Sequence, residues 1–212
     1  TNNFAQDPND PLDDLLAGDG LSYGADAVVR KDRGRVTGFA TVSLLKAERE
    51  FPDFLTGEEE PPLITYPPVF DRRVEVEFVL RVPLPRKWEG GVRWNLGSGL
   101  PYTRPVGGYL MYNYQFDPAL RTLGEAPDSA TVAVLLGQRN AERYPVYHRL
   151  DFSMRKTFNK RWGTLTPHID ILNVYNRKNV LFYFYEYEKS PPVRSGISMF
   201  PFLPTVGLEV TF

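Results

Sequence analysis

The feature that most constrains the fold is an alternation of apolar and polar side chains that recurs along the chain. From Asp71 to Leu84 the sequence is DRRVEVEFVLRVPL, in which apolar residues alternate with mostly charged ones. Successive side chains of a strand point to opposite faces, so this pattern predicts a strand with one apolar face and one charged face. The same reasoning predicts seven strands, at about 21–31, 35–50, 71–83, 87–98, 145–158, 162–187 with a kink near 173–179, and 200–212.

The connections between these strands alternate regularly in length. Tight turns are predicted at 31–34, 83–87 and 158–161, whereas the long, Pro- and Gly-rich loops are 51–69, 99–144 and 188–199. An antiparallel meander with every short turn at one end and every long loop at the other is typical of an outer-membrane barrel. The sequence therefore predicts an all-β, antiparallel, up-and-down transmembrane β-barrel.

A soluble sandwich shows the same alternation with its apolar face turned inward. The two folds therefore differ in whether the apolar face is buried in the protein or turned outward. Three features favour a barrel: charges that can pair across strands, Trp and Tyr near strand ends, and a terminal Phe212 on the apolar side of its strand. The alternative is a soluble all-β module that binds a carbohydrate or another ligand. Dependence on detergent distinguishes the two.

Composition and motifs argue against other function classes. The 25 Lys and Arg residues are balanced by 26 Asp and Glu, so no excess positive charge indicates binding to nucleic acid. There is no cysteine, and the only histidines, His148 and His168, have no metal-site spacing. No Ser/His/Asp arrangement is recognisable, so we expect no enzyme, cofactor or metal site. Because the chain begins Thr1-Asn2-Asn3, we expect it to be a piece of a longer protein.

The charged faces of the predicted strands suggest a ladder of ion pairs on a lumen wall. A hairpin turn centred on Pro85 places Arg81 opposite Glu89 and Glu77 opposite Arg93 on one face, and Phe78 opposite Val92 on the other. In the later hairpin, the preferred register places Asp151 opposite His168 and Arg149 opposite Asp170. Both histidines are expected to be structural residues of the lumen. The predicted ladder is Glu77, Arg81, Glu89, Arg93, Arg149, Asp151, His168 and Asp170.

The longest loop is rich in tyrosine, which makes it the candidate ligand-binding segment. Aromatic side chains on loops commonly contact sugars, chelates or peptides, although they also pack a loop on itself. The candidate residues are Tyr102, Tyr109, Tyr112 and Tyr114.

Several motifs, in this order, resemble the C-terminal barrel region of TonB-dependent outer-membrane receptors. They are Ser22-Tyr23-Gly24, Asp71-Arg72-Arg73, Gly97-Ser98-Gly99-Leu100-Pro101-Tyr102-Thr103, Tyr147-His148-Arg149-Leu150-Asp151, Asp170 to Asn179 with the sequence DILNVYNRKN, and an alternating strand that closes on Phe212. The resemblance covers nearly the whole chain from about residue 20.

The resemblance implies a fold, a location and a set of partners. Residues 1–20 would end an extracellular loop, and 21–212 would form the last seven strands of a barrel of about 22 strands, without its N-terminal plug. The intact protein would bind a small molecule, glycan or chelate and import it across the outer membrane of a Gram-negative bacterium with energy supplied by TonB. Its other partners would be outer-membrane lipid and the assembly machinery, which would recognise the terminal strand through Val206, Leu208, Val210 and Phe212.

Overall fold

The structure is a computed structural model that describes residues 18–53, 61–112, 115–117, 122–124, 130–186 and 193–212. The strands are β1 (Asp19–Lys31), β2 (Thr37–Pro52), β3 (Leu63–Tyr66), β4 (Val74–Leu84), β5 (Trp88–Gly97), β6 (Pro101–Tyr102), β7 (Pro105–Tyr112), β8 (Gln115–Asp117), β9 (Thr122–Gly124), β10 (Ala130–Leu136), β11 (Glu142–Arg143), β12 (Tyr147–Lys156), β13 (Phe158–Lys160), β14 (Gly163–Leu172), β15 (Val180–Glu186), β16 (Val193–Ser198) and β17 (Leu203–Thr211).

Nine of these strands form one antiparallel sheet with the connectivity of a meander. Its order is β1, β2, β4, β5, β12 and β14, and β17 pairs with the other side of β14. The short strands β3 and β13 lie in line with β4 and β12, because β3 and β4 both pair with β2 and β12 and β13 both pair with β14. The sheet thus has seven strand positions, which we call rows, and they follow the seven predicted strands in chain order. The sheet curls into a half-barrel.

The predicted separation of apolar and charged faces is confirmed across neighbouring rows. On one face Phe78 lies opposite Trp94 on β5 and opposite Ala40 on β2. On the other face Glu77 lies opposite Asn95 and Thr41. A central strand therefore contributes to a continuous apolar face and to a continuous polar face, because both of its neighbours keep the same pleat.

The sheet has no apolar core of the kind that a two-layer protein needs. Among the described residues, the only buried hydrophobic side chains are Ala47 and Tyr66. Phe78, in the middle of a central strand, is 37% exposed. The apolar face is therefore open, and its stabilisation requires an apolar medium or a partner that covers it.

The predicted register of the β4–β5 hairpin is wrong by two residues. Arg81 lies opposite Gly91 instead of Glu89, and Phe78 lies opposite Trp94 instead of Val92. The turn is the 3₁₀ segment Pro85–Lys87, which is centred on Arg86 because the strand continues through Pro83 to Leu84. A shift of two residues keeps every side chain on its predicted face, since the period of a strand is two.

The predicted register of the later hairpin is wrong by four residues. His168 lies opposite Arg155 instead of Asp151, and Asp170 lies opposite Ser153 instead of Arg149. The strand pairing continues past Phe158 to Lys160, which pairs with Gly163 across a two-residue turn. Gly163 has a φ of +149°, a conformation that a side chain would disfavour, so the turn forms beside this glycine.

The predicted sixth strand is two strands, and the predicted long loops contain further strands. β14 ends at Leu172, and β15 forms a separate hairpin with β16, which lies in the predicted loop 188–199. The loop 51–69 contains β3, and the loop 99–144 contains the two-stranded pairings β7–β10, β6–β11 and β8–β9. Proline and glycine in β7 are compatible with such a two-stranded ribbon, where a strand has only one partner.

The strand that carries the predicted assembly signal is an open edge of the sheet. Val206, Leu208 and Val210 of β17 lie opposite Ile169, Pro167 and Leu165 of β14, so all three belong to the apolar face. Val206 is 81% exposed and Phe212 is 95% exposed. The role of these residues in assembly stays a prediction.

Candidate functional site

The polar face of the sheet carries ion pairs between neighbouring strands. Glu89 lies between two arginines, with an oxygen 3.2 Å from Nε of Arg81 and 2.8 Å from Nε of Arg155. Glu77 pairs with Arg93 at 2.7 Å. Two of the predicted ion pairs therefore form, but diagonally, because an arginine side chain can reach a carboxylate two positions along the neighbouring strand.

The other members of the predicted ladder pair along their own strands. Arg149 pairs with Asp151 at 2.8 Å, and the ring of His168 lies 3.8 Å from Asp170. His148 is on the apolar face, opposite Leu96, so the prediction that it faces the lumen is wrong. Its Nδ1 lies 2.7 Å from the hydroxyl of Tyr175, which satisfies the ring without a charged partner.

A buried carboxylate joins three segments at the long-loop end of the sheet. Asp71 is fully buried, and its Oδ1 accepts a hydrogen bond of 2.8 Å from the backbone N–H of Ala47. Its Oδ2 pairs with Arg73 at 2.8 Å and with Arg143. Arg143 also donates to the carbonyl oxygens of Asp71 and Gly99, at 2.8 and 3.0 Å. This cluster, Asp71 with its partners Arg73 and Arg143, fixes the segment around β11 to β2 and β4.

Taken together, the hydrogen-bond and ion-pair partners of Asp71 change its pKa more than its burial does. Burial alone would raise the pKa of this carboxyl group, but the N–H of Ala47 and the guanidinium groups of Arg143 and Arg73 lower the pKa below its ordinary value of 3.8. A depressed folded-state pKa gives stability that is present above the unfolded-state pKa and is lost as the pH falls through the folded-state pKa.

We therefore expect Asp71→Asn to remove part of the acid sensitivity of the protein. At neutral pH the free energy of unfolding should fall by about 1–3 kcal/mol, because two arginines lose their charged partner. The difference between the wild-type protein and the variant should shrink as the pH falls below 3.8. Denaturant unfolding across this pH range measures it. Asp26→Asn, at an exposed position of β1, is the matched control and should keep the wild-type pH dependence. A constant difference between wild type and D71N would contradict the assignment.

A second cluster of side-chain hydrogen bonds lies where β14 ends. Asn173 is fully buried with a φ of +55°, and its backbone N–H donates to Oδ1 of Asp151 at 2.9 Å. Its side-chain amide donates to the carbonyl oxygens of Arg177 and Phe200, at 2.9 and 3.0 Å, and accepts from the N–H of Arg177 at 3.0 Å. The kink predicted near 173–179 is therefore a compact turn that side chains hold in place.

Asn179 extends the same cluster to the neighbouring strand. Its side-chain amide accepts from the N–H of His148 at 3.2 Å and donates to the carbonyl oxygen of the same residue at 2.9 Å. The side chain of Asn179 thus makes the two hydrogen bonds with His148 that the backbone of a neighbouring strand would otherwise make. These contacts give a structural reason for the asparagines of the segment 170–179.

Of the four tyrosines predicted to bind a ligand, Tyr102 packs within a group of aromatic rings. Its ring stacks on Tyr144 with centroids 4.4 Å apart, and Tyr183 lies 5.6 Å from Tyr102. The guanidinium of Arg194 lies 4.4 Å from the ring centre of Tyr183. Burial and the neighbouring hydroxyl of Tyr185 raise the pKa of Tyr102 to about 12. Tyr102 therefore packs β6 and β11 against the β15–β16 hairpin.

Of the other predicted tyrosines, only Tyr109 has a described side chain, and it is not part of this group. Tyr109 lies in β7 and is 55% exposed. Tyr112 ends β7, and Tyr114 lies outside the described residues. Ligand binding by these four tyrosines stays a prediction.

A cavity of about 660 Å³ opens at the long-loop end, close to the Asp71 cluster. The guanidinium of Arg139 lies 4.5 Å from the ring centre of Tyr66, which forms part of the wall. Asn140 supports this wall because its side-chain amide donates to the carbonyl oxygen of Pro67 at 2.8 Å. The lining residues are Pro52, Asp53, Ile64, Thr65, Tyr66, Pro67, Gly137, Gln138, Arg139 and Ala141. Such a mixture of apolar, aromatic and hydrogen-bonding groups suits a small polar organic ligand.

Within the described ranges, no group of three His, Cys, Asp or Glu side chains could hold a metal ion. No helix in that part of the chain has the length and apolar character needed to cross a membrane.

Comparison of the chain with protein-family models, with curated proteins and with solved structures gives no match.

Sequence reasoning found the segments that build the two hydrogen-bond clusters but missed what their residues do. Asp71 and Asn173 were recognised only within motifs, and Arg143 was not singled out. Two features of the sequence could have pointed to these clusters. One is the charged Asp71 directly after an apolar loop, and the other is the group of asparagines directly after a predicted strand. Several of their partners, such as Arg143 and Asp151, are 22 to 72 residues away in the chain, so spacing could not identify these partners.

Proposed function

We propose that the chain is the C-terminal part of the barrel of an outer-membrane transporter of the TonB-dependent receptor class. The observation that carries the proposal is the single-layer sheet, whose apolar face continues over seven rows and is not covered by any described segment. The outward apolar band and ion-paired polar lining of a wide barrel agree with this arrangement. Lipid then covers the apolar face, and the polar face lines the lumen.

Aromatic residues at the tight-turn end of the apolar face support this orientation. Trp88, Phe158 and Trp162 lie near the tight turns, and the ring of Phe212 is 5.9 Å from that of Trp162. Aromatic side chains grouped at one end of an apolar face are what a membrane interface favours.

The transport step involves no covalent chemistry by the residues of this chain. A small molecule, glycan or chelate binds from outside near the long loops, where the 660 Å³ cavity lies. Energy from TonB then moves the plug, and the solute passes along the polar face. The strand β17 presents Phe212 to the assembly machinery.

The alternative, a soluble module that binds a ligand, requires the apolar face to be covered by protein. The cavity at the long-loop end is compatible with ligand binding in either case. The near absence of buried hydrophobic side chains among the described residues favours the membrane location.

The test is to express the complete reading frame in a Gram-negative host and to separate outer membranes from the soluble fraction. We expect the protein in the outer membrane, resistant to extraction by urea and with faster electrophoretic migration before heating than after it. Recovery as a soluble monomer would contradict the proposal. If the protein is in the outer membrane, loss of TonB should abolish uptake of its solute.

A further inference from the structure

The tight-turn end of the sheet carries an unbalanced set of positive charges. The turn after β1 contains Lys31, Arg33 and Arg35, the turn after β4 contains Arg86 and Lys87, and the turn after β13 contains Lys160 and Arg161. All seven residues are exposed, and none forms an ion pair with any carboxylate of the described residues. We call these seven residues the basic rim.

Two of the acidic residues near this end already have partners. Asp32 pairs with Arg30 at 2.6 Å, and Glu89 is held between Arg81 and Arg155. By contrast, the long-loop end mixes charges of both signs in pairs such as Lys46 with Glu48, at 2.9 Å. The positive charge of the basic rim is thus left for a partner outside the described residues.

The rim residues lie at one end of the sheet, because all the tight turns of this antiparallel meander connect their strands at the same end. The backbone N–H of Thr157 donates to the carbonyl oxygen of Lys87 at 3.2 Å, which brings the second and third turns into contact. The first turn adjoins the second, since Thr37 lies opposite Arg81. The charges therefore form one band.

The basic rim lies along the tight-turn edge of the apolar face, where this face also carries aromatic rings. The ammonium of the rim residue Lys160 lies 6.0 Å from the ring centre of Phe158, and the ammonium of Lys156, on the adjoining apolar face, lies 5.0 Å from the ring centre of Trp88. Trp162 follows Arg161 directly and contacts Phe212. Aromatic rings favour the boundary between lipid tails and headgroups, so cations at the end of the same strands reach the headgroup phosphates.

We propose that the basic rim binds anionic phospholipid headgroups in the membrane leaflet at the tight-turn end. This rests on the proposed membrane location of the apolar face. Two observations select lipid as the partner: the continuity of the rim with the apolar face, and the position of its charges beside aromatic rings. Each Lys or Arg near an anionic membrane surface strengthens binding on the order of fivefold at low salt.

The test uses the complete protein reconstituted in phosphatidylcholine vesicles, with or without phosphatidylglycerol. Quenching of tryptophan fluorescence by brominated phosphatidylglycerol, compared with brominated phosphatidylcholine, gives the relative affinity for the anionic lipid. We expect a preference for phosphatidylglycerol that weakens with salt. The two double variants R86Q/K87Q and K160Q/R161Q should each lower this preference by roughly tenfold or more, because each removes two positive charges. The double variant R104Q/K178Q, at the long-loop end, is the matched control and should keep it.

The outcomes separate this proposal from the proposed function. Insertion into phosphatidylcholine vesicles without any preference for phosphatidylglycerol would overturn the lipid assignment and leave the membrane location intact. Failure to insert in either lipid would overturn both. If the rim variants lose binding to soluble polyglutamate while the wild-type protein shows no lipid preference, the rim docks an acidic protein instead. The salt dependence of the wild-type protein tests the proposal without any substitution.

Discussion

Replacing Asn173 with alanine is expected to lower the free energy of unfolding by about 2–4 kcal/mol. The side chain makes three hydrogen bonds in a fully buried position, and alanine leaves the N–H of Arg177 and two carbonyl oxygens without their partner. Alanine is also less compatible than asparagine with the left-handed backbone at this residue. The measurement is denaturant unfolding of the folded protein, followed by intrinsic fluorescence or electrophoretic mobility.

Asn176→Ala is a matched control for this prediction. Asn176 has nearly the same backbone conformation, with a φ of +53° against +55° for Asn173, so the backbone cost of the substitution is similar. It makes one exposed side-chain hydrogen bond, at 2.9 Å from the N–H of Phe202. The variant should therefore lose about 1–2 kcal/mol, mostly through its backbone. Equal losses at the two positions would show that the buried hydrogen bonds do not stabilise the turn.

Placing arginine at Phe78 tests which medium covers the apolar face. Phe78 lies mid-strand between Ala40 and Trp94, so under the proposed function its side chain contacts lipid near the centre of the membrane. An arginine at that depth should lower the free energy of unfolding in lipid vesicles by about 2–4 kcal/mol. The same variant should reduce the amount of folded protein recovered from outer membranes.

Thr41→Arg provides the comparison on the opposite face. Thr41 lies directly opposite Glu77 on the polar face, where a new positive charge finds an acidic partner and water. This variant should retain nearly wild-type stability. If F78R is tolerated in water, or if both variants lose the same stability, the apolar face is not in contact with lipid.

Hydrogen bonds and close backbone contacts also explain the composition of the motif from Gly97 to Thr103. Ser98 accepts a hydrogen bond from the N–H of Val74 at 3.1 Å, and a side chain at Gly99 would collide with the carbonyl oxygen of Tyr144. Thr103 accepts from the N–H of Asn140 at 2.9 Å. The segment from Gly97 to Thr103 is thus a junction between the sheet and the long excursion, and its small and hydroxylated residues make that close approach possible.

The seven rows of the sheet, their order and the face of most of their residues could be predicted from the sequence. Alternation has a period of two, so it assigns each side chain to a face even when the pairing is shifted by an even number of residues. Phe78 and Glu77 were assigned to opposite faces correctly, although their partners on β5 were not. The pattern of short and long connections likewise predicted the meander, because antiparallel neighbours need only a tight turn.

Register, the strands within the long loops and the two clusters were decided only by the tertiary structure. Charge complementarity could not fix the register, because Arg81 reaches Glu89 diagonally as well as it would directly. The course of the chain from Asn173 to Asn179 depends on the distant partners Asp151 and His148, which become neighbours only after the sheet has formed. A periodic pattern records which face each residue occupies, whereas a specific contact between distant residues depends on turn conformations and on buried polar groups that must find partners in three dimensions.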